Sequence, residues 1–277
     1  MGNMHYSVRD ILLQDEWPYA RIFGMNQADL EQINSESSSV FSDSETEQML
    51  KAGVHLGHAK SKNNSSMKPY IFGVRNTISV IDLLKMKEKL ADASRFLTDV
   101  AARGGIILLV GTRPAARKII LEIAEKLDMP YFVERWIGGT LTNFKVFTKR
   151  IEYMIELERA LASGELTKYT KWEQIQKTTE LERLKRFFNG LRALKRLPDA
   201  VFVVDTTYDT TAVNESKKMK IPLVALVDTN ANADRVDYPI PSNDDARSAV
   251  RYMVGRVGDA IDRGIRQMQG VKESATQ

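Results

Sequence analysis

Cysteine is absent from the 277 residues. Disulfide frameworks, thiolate metal sites and cysteine nucleophiles are therefore excluded, and a reducing compartment fits. Long apolar runs are missing too: none approaches the roughly 18 residues that a membrane span needs. The amino terminus lacks the basic start and apolar core of a secretory signal. It is rich in Asp and Glu, whereas transit peptides are Arg-rich and acid-poor. A bacterial-type cytoplasm is the expected address. Nucleotide fingerprints are also lacking, since neither G-x-G-x-x-G nor a Gly-rich turn ending in Gly-Lys-Ser/Thr occurs.

Charge is present and unevenly placed. Residues 1–48 hold two basic and nine acidic residues, net −7, which leaves +11 for the remainder of a chain whose total is +4. A basic body with an acidic tail points to a polyanionic partner for the body. Ser35–Ser44 is serine-rich and acidic and has the composition of a linker. Before it lies Trp17-Pro18-Tyr19-Ala20-Arg21-Ile22-Phe23, three aromatics in seven residues. This stretch is either part of a disordered extension or a short docking motif.

Beyond residue 44 the pattern is α/β. Ile106–Val110, Ala200–Val204 and Leu223–Val227 are continuous apolar runs, as expected of parallel strands buried on both faces. Tyr131–Val133 predicts a shorter strand, and Tyr70–Phe72 and Ile78–Leu83 flank a Gly-Val-Arg-Asn turn. Helices are predicted at Leu84–Ala102, Pro114–Leu127, about Ala212–Met219 and Asp244–Gln267. The alternation implies a mostly parallel sheet covered by helices. Between Asn143 and Leu197 the rhythm changes. Phe147, Ile151, Met154 and Leu161, then Leu181, Leu184, Phe188 and Leu191, fall at helical steps on either side of Gly164. Two long helices in an antiparallel hairpin, a coiled-coil arm, are expected.

Catalytic chemistry is hard to assemble. In such folds ligands bind at the carboxyl ends of strands. After Ile106–Val110 comes Gly111-Thr112-Arg113-Pro114-Ala115-Ala116-Arg117, one glycine with two arginines, suited to gripping phosphate by charge-assisted forks. Asp205, Asp228 and Asp237 follow strands, but capping and turn formation explain them equally well. His55 and His58 are three apart among glycines, with no further ligand nearby in sequence, so no metal site is expected.

Six stretches together resemble one family: GVHLGH (Gly53–His58), MKPYIFGVRN (Met67–Asn76), RWIGGTLTNF (Arg135–Phe144), LPDAVFVVD (Leu197–Asp205), IPLVALVDTN (Ile221–Asn230) and PIPSNDDARSAV (Pro239–Val250). The chain resembles the universal small-subunit ribosomal protein two family in its bacterial form, from roughly Ser44 to Gln267 but not in the acidic extension. The resemblance implies a flavodoxin-like parallel sheet with an inserted helical hairpin and no catalytic activity or cofactor. It implies a position on the solvent side of the small subunit, between head and body, on small-subunit ribosomal RNA. Neighbouring small-subunit proteins, with ribosomal protein one among the candidates, are the implied partners, and no membrane is.

Such a protein binds through cations on phosphates, reading shape rather than sequence. The expected contacts are Lys60, Lys62, Lys68, Arg75, Arg113, Arg117, Lys118, Arg135 and Lys145, with His55 and His58 as neutral donors. Trp136 is assigned to base stacking or, alternatively, to packing the Gly138-Gly139 turn against the sheet. Asn143 is expected to cap the arm's first helix. The expected layout is an extension (1–43), an α/β RNA-binding domain (44–143 and 197–270), the arm (144–196) and a tail (271–277). A nucleotide-binding enzyme or sensor is the alternative. Two departures from the family pattern stand out: Ala59–Ser66 lacks the usual aromatic and most of its basic residues, and Asn189-Gly190 stands where a double glycine is more usual.

Overall fold

A computed structural model describes residues 44–276, with side chains through residue 270. The aromatic stretch Trp17–Phe23 and the acidic extension lie outside the described residues. The chain opens with helix α1 (Ser44–Ala52) and a three-stranded antiparallel sheet, β1 (Leu56–Ala59), β2 (Ile71–Arg75) and β3 (Ile78–Ile81), in the order β1-β3-β2. Helix α2 (Leu83–Ala102) follows. Then β4 (Ile107–Val110), α3 (Pro114–Leu127), β5 (Tyr131–Phe132), α4 (Phe144–Ala162), α5 (Lys171–Phe188), β6 (Ala200–Val203), α6 (Thr210–Lys218), β7 (Leu223–Val227), β8 (Tyr238–Pro241) and α7 (Arg247–Thr276) complete the chain.

Strands β4 to β8 form one parallel sheet in the order β5-β4-β6-β7-β8. Numbered within that sheet the order is 2-1-3-4-5, the flavodoxin-like winding, with its reversal between β4 and β6. Period-two alternation splits each strand between two cores. Ile107, Leu109, Phe202, Val224, Leu226 and Ile240 pack against α2, α3 and α7. Leu108, Val110, Val201, Val203, Leu223, Ala225 and Val227 pack on the other face with Leu141, Phe147, Ala212 and Val213. Each large side chain buried this way contributes about 1.5–3 kcal/mol before the chain entropy is counted. A strand apolar at every position is what two-sided burial requires, so the continuous runs in the sequence were a correct signal.

Helix ends follow their sequences. Asp82 caps α2 by accepting from the Leu84 and Lys85 amides, Pro114 opens α3, and Thr170 with Glu173 forms a capping box on α5. Asn143 holds the position before α4, but its side chain makes no cap bond. Its carbonyl instead accepts from Val146 and Phe147, so the expected side-chain cap is replaced by backbone.

Two strands escaped the sequence. In β8, Pro239 and Pro241 remove ladder donors, which an edge strand tolerates. In β1 the glycines flanking His58 suggested a loop. Gly57 is small for a different reason: a Cβ there would lie 2.4 Å from Thr229. The turn between β2 and β3 is Asn76-Thr77, both at positive φ, a two-residue hairpin loop. The polar stretch after β1 is two short 3-10 segments, Lys60–Lys62 and Ser65–Tyr70.

Helices α4 and α5 run against each other. Phe147 and Phe188 rings meet at 5.0 Å, Tyr153 donates to Glu180, and Glu158 takes Lys185 at 2.6 Å and Arg192 at 2.7 Å. Those two cations hold the Glu158 carboxyl down at about 2. Where α5 ends, a Cβ at Gly190 would come within 2.6 Å of the Tyr131 carbonyl and ring. The glycine is demanded by that approach, whereas Asn189 uses its side chain to accept from Arg192.

Candidate functional site

The carboxyl ends of β4, β6, β7 and β8 meet at one edge, beside the reversal point where this winding usually holds a ligand. What the edge carries is a closed network of charges. Asp205 follows β6, Asp228 follows β7, and Asp244 and Asp245 follow β8. Arg113, after β4, reaches across to three of them: Asp205 at 2.9 Å, Asp244 at 3.1 Å, and Asp245. Burial opposes the Arg113 charge, but Asp205, Asp244 and Asp245 outweigh it and raise its pKa. Asp244 is pushed up to about 9 by burial and by the neighbouring Asp205 and Asp228 carboxylates. Burial also raises Asp228, against the Thr229 amide and His58.

His58 enters this network from β1. Its Nδ1 lies 3.2 Å from Asp228 and its Nε2 3.2 Å from Asp245. The three side chains offer ligand atoms within 4.8 Å of one another, a mixed nitrogen and oxygen set that a divalent cation accepts. Local spacing gave His58 no further ligands; the fold brings them from β7 and β8. His55, in contrast, is buried, and burial lowers its pKa and keeps the ring neutral.

The amino-terminal sheet is stapled onto the same edge by long-range hydrogen bonds. Thr229 Oγ1 accepts from the His58 amide at 2.8 Å, the Thr229 carbonyl accepts from the Asn64 amide, and Ser66 accepts from the Ala233 amide. The 60–70 stretch therefore sits over the end of β7.

A second knot lies after β5. Glu215 of α6 is buried and gathers five donors: Trp136 Nε1 at 3.1 Å, the amides of Gly139 at 2.8 Å, Leu141 at 2.9 Å and Thr142 at 3.1 Å, and the Thr142 hydroxyl at 3.2 Å. Burial works against this carboxylate, yet those donors hold its pKa below the ordinary range. Glu215 carries no local signal, because a single glutamate in a short polar helix looks solvated.

The twelve residues singled out as RNA contacts divide into two sets. Trp136 is buried and stacks near Phe132, at 5.0 Å, with its N–H on Glu215; the packing role is the one its surroundings match. Arg113 and His58 are engaged by aspartates and His55 is interior. Arg117 bonds the Thr112 carbonyl and sits 3.6 Å from Glu134, and Lys118 sits near Glu122. The others, Lys60, Lys62, Lys68, Arg135 and Lys145, are exposed, with Arg75 half-buried. Among the described residues none of these six has a carboxylate partner.

No helix among the described residues is long and apolar enough to cross a membrane. The family model described as Ribosomal protein S2 matches residues 49–264. Small ribosomal subunit protein uS2 of Thermus thermophilus is 46% identical over 214 residues, 77% of this chain and 84% of that protein. The proteins of the same name from Roseiflexus castenholzii and Chloroflexus aggregans are 43% and 42% identical. They cover 78% and 82% of this chain, and 82% and 95% of their own lengths. A winding made for nucleotides, with aspartates and an arginine closing its usual ligand edge, fits a scaffold, and the comparisons agree: the chain belongs to the ribosomal protein S2 family, a structural constituent of the small ribosomal subunit and not an enzyme.

Proposed function

We propose that this chain grips small-subunit ribosomal RNA through Lys60, Lys62, Lys68, Arg75, Arg135 and Lys145. The supporting observation is that these cations lack carboxylate partners among the described residues, while Arg113, Arg117 and Lys118 are engaged. Residues 60–70 lie over the end of β7, and Arg135 is three residues past β5. Phosphates bound there recover the Coulomb energy that the isolated cations leave unused. The motif resemblance supports a seat between head and body. It also supports the helix pair at 144–196 being a protruding coiled-coil arm on a body made of 44–143 and 197–270, with ribosomal protein one as a neighbour.

The alternative, a nucleotide-binding enzyme or sensor, meets an obstacle in the charge of the reversal point. Asp205, Asp228 and Asp245 stand where a phosphate would go.

The test is filter binding of a small-subunit RNA fragment across salt. Replacing Lys60, Lys62 and Lys68 with Ala is expected to weaken binding at low salt. It is also expected to flatten the slope of log K against log salt by roughly 0.7–0.9 per lost phosphate contact. Unchanged affinity and slope would rule the face out, and micromolar ATP or flavin binding by calorimetry would revive the alternative.

A further inference from the structure

His58 faces a carboxylate at each of its ring nitrogens. Nδ1 lies 3.2 Å from Asp228 Oδ2, and Nε2 lies 3.2 Å from Asp245 Oδ2. A neutral imidazole has one N–H, so it can donate to only one of the two. Nor does the first pair complete a hydrogen bond: Nδ1 is buried and has no hydrogen-bond partner among the described residues. Proximity without a bond between a ring nitrogen and a carboxylate oxygen is the spacing of two ligands on one ion. Around zinc, with bonds of about 2.0–2.1 Å, neighbouring tetrahedral ligands stand roughly 3.3 Å apart.

The contacts behind these groups hold them in place. Asp228 gives Oδ1 to the Thr229 amide and hydroxyl, and Asp245 gives Oδ1 to Arg113. Each carboxylate thus has one oxygen fixed and Oδ2 turned to the ring, which is how outer partners orient the ligands of a metal. The Asp228 side chain is 1% exposed. Its Oδ2 receives a single hydrogen bond among the described residues, from the Asp244 amide at 3.5 Å.

Unpaired polar atoms collect in the same corner. Asp244 is 1% exposed, and its Oδ2 has no hydrogen-bond partner among the described residues. Asn230, whose Nδ2 is 3.4 Å from His58 Nε2, has a buried Oδ1 in the same condition. Buried polar atoms left unpaired call for an ion or a solvent molecule. Charge selects the ion. Asp205, Asp244 and Asp245 already share the one guanidinium of Arg113, and among the described residues only the imidazole pairs with Asp228.

We propose that His58, Asp228 and Asp245 bind one divalent first-row transition ion, zinc being the one that a mixed imidazole and carboxylate set suits best, and that this ion pins the amino-terminal sheet to the parallel sheet. The ligands come from β1, from the turn after β7 and from the segment between β8 and α7. One ring nitrogen ligates; the other keeps its proton and donates to the carboxylate beside it. Asp245 is 48% exposed and His58 17%, so the ion enters from the Asp245 side. Magnesium, which wants an octahedral shell of oxygens, is the wrong ion for the set.

The test uses the full chain, stripped with a chelator and dialysed, and zinc alone as the probe. Calorimetric titration is expected to show one zinc per chain, undisturbed by excess magnesium. Asp245→Asn, at a half-exposed position, should weaken that binding by about tenfold or more, and His58→Ala should abolish it. If His58→Ala fails to fold, Asp245→Asn still decides. His5→Ala, in the extension, should change nothing. Zinc should also slow hydrogen exchange at the His58 and Asn64 amides, which bond Thr229. No bound zinc, zinc displaced by magnesium, zinc lost with His5, or zinc held undiminished by Asp245→Asn would each overturn the site. Zinc that binds there and leaves both amides exchanging as before would overturn the pinning. No step uses RNA, so the RNA reading stands or falls separately.

Discussion

Charges at the carboxyl edge of the parallel sheet and charges on the amino-terminal sheet lie side by side and do opposite work. At the edge, Arg113 spans aspartates that follow β6 and β8, and His58 links Asp228, after β7, to Asp245, which it shares with Arg113. Every ion there tethers one loop to another. On the adjoining 60–70 stretch the cations face outward and tether nothing. The difference shows that a positive charge in this fold is informative about RNA only after its internal partners are known. Arg113, at a helix start after a buried strand, looks like a phosphate grip until Asp205 and Asp244 arrive from far along the chain.

The sharpest way to break that comparison is to remove the hub. Arg113→Ala would leave Asp205 and Asp245 facing each other without a cation, beside the buried Asp244. Stripping one partner from a buried pair costs roughly 3–5 kcal/mol; with 30% of the Arg113 side chain still exposed, the lower end is expected. Lys62→Ala, a change to an exposed residue, should stay within about 0.5 kcal/mol. Urea denaturation at pH 7 checks both, and equal effects would erase the distinction between the two regions.

A smaller effect is expected at the second knot. Glu215→Gln keeps the length but turns one accepting oxygen into a donor, so one group of donors, the Leu141 and Thr142 amides with the Thr142 hydroxyl or else the Trp136 indole and the Gly139 amide, loses its acceptor. Stranding such groups costs about 1–3 kcal/mol. Because those amides shape the loop that presents Arg135, RNA affinity should fall as well as stability. A variant as stable and as RNA-competent as the parent would mean that Glu215 is incidental to the loop.

Much of the fold was legible because two-sided burial writes itself as unbroken apolar strands: Ile107–Val110, Ala200–Val203 and Leu223–Val227 are each within a residue or so of the run that predicted them. Pro114 and Leu127 bound their helix where expected. What stayed hidden had local disguises. Prolines masked β8, and glycines masked β1. The site was less legible, since its logic is long-range: Arg113 meets an aspartate 131 residues away, and His58 bonds Thr229 171 residues on. No spacing rule spans such distances. Glu215 was invisible for the same reason, its five donors lying in a loop far upstream.

The mildest probe of the interior charges is Asp209. Its carboxyl is buried and accepts from the Thr112 hydroxyl at 2.7 Å. Burial first, and the Asp205 carboxylate after it, push its pKa to about 6, despite the Thr112 donors. The folded state therefore binds this proton more tightly than the unfolded chain, whose value is near 3.8. Its contribution is fully present below about pH 4 and disappears as pH rises through about 6. Asp209→Asn cannot titrate and still offers Thr112 an oxygen. Relative to the Asn variant, the parent should lose about 1–3 kcal/mol between those two pH values and run parallel to it above them. At pH 7 the relieved burial of charge and the weakened Thr112 contact should nearly cancel, within about 1 kcal/mol. Denaturation curves of both proteins from pH 4 to 8 measure the gap directly. A gap that stays flat across that range would show that Asp209 is ionised in the fold at little cost. The interior of this edge would then be as tolerant of charge as the outward face.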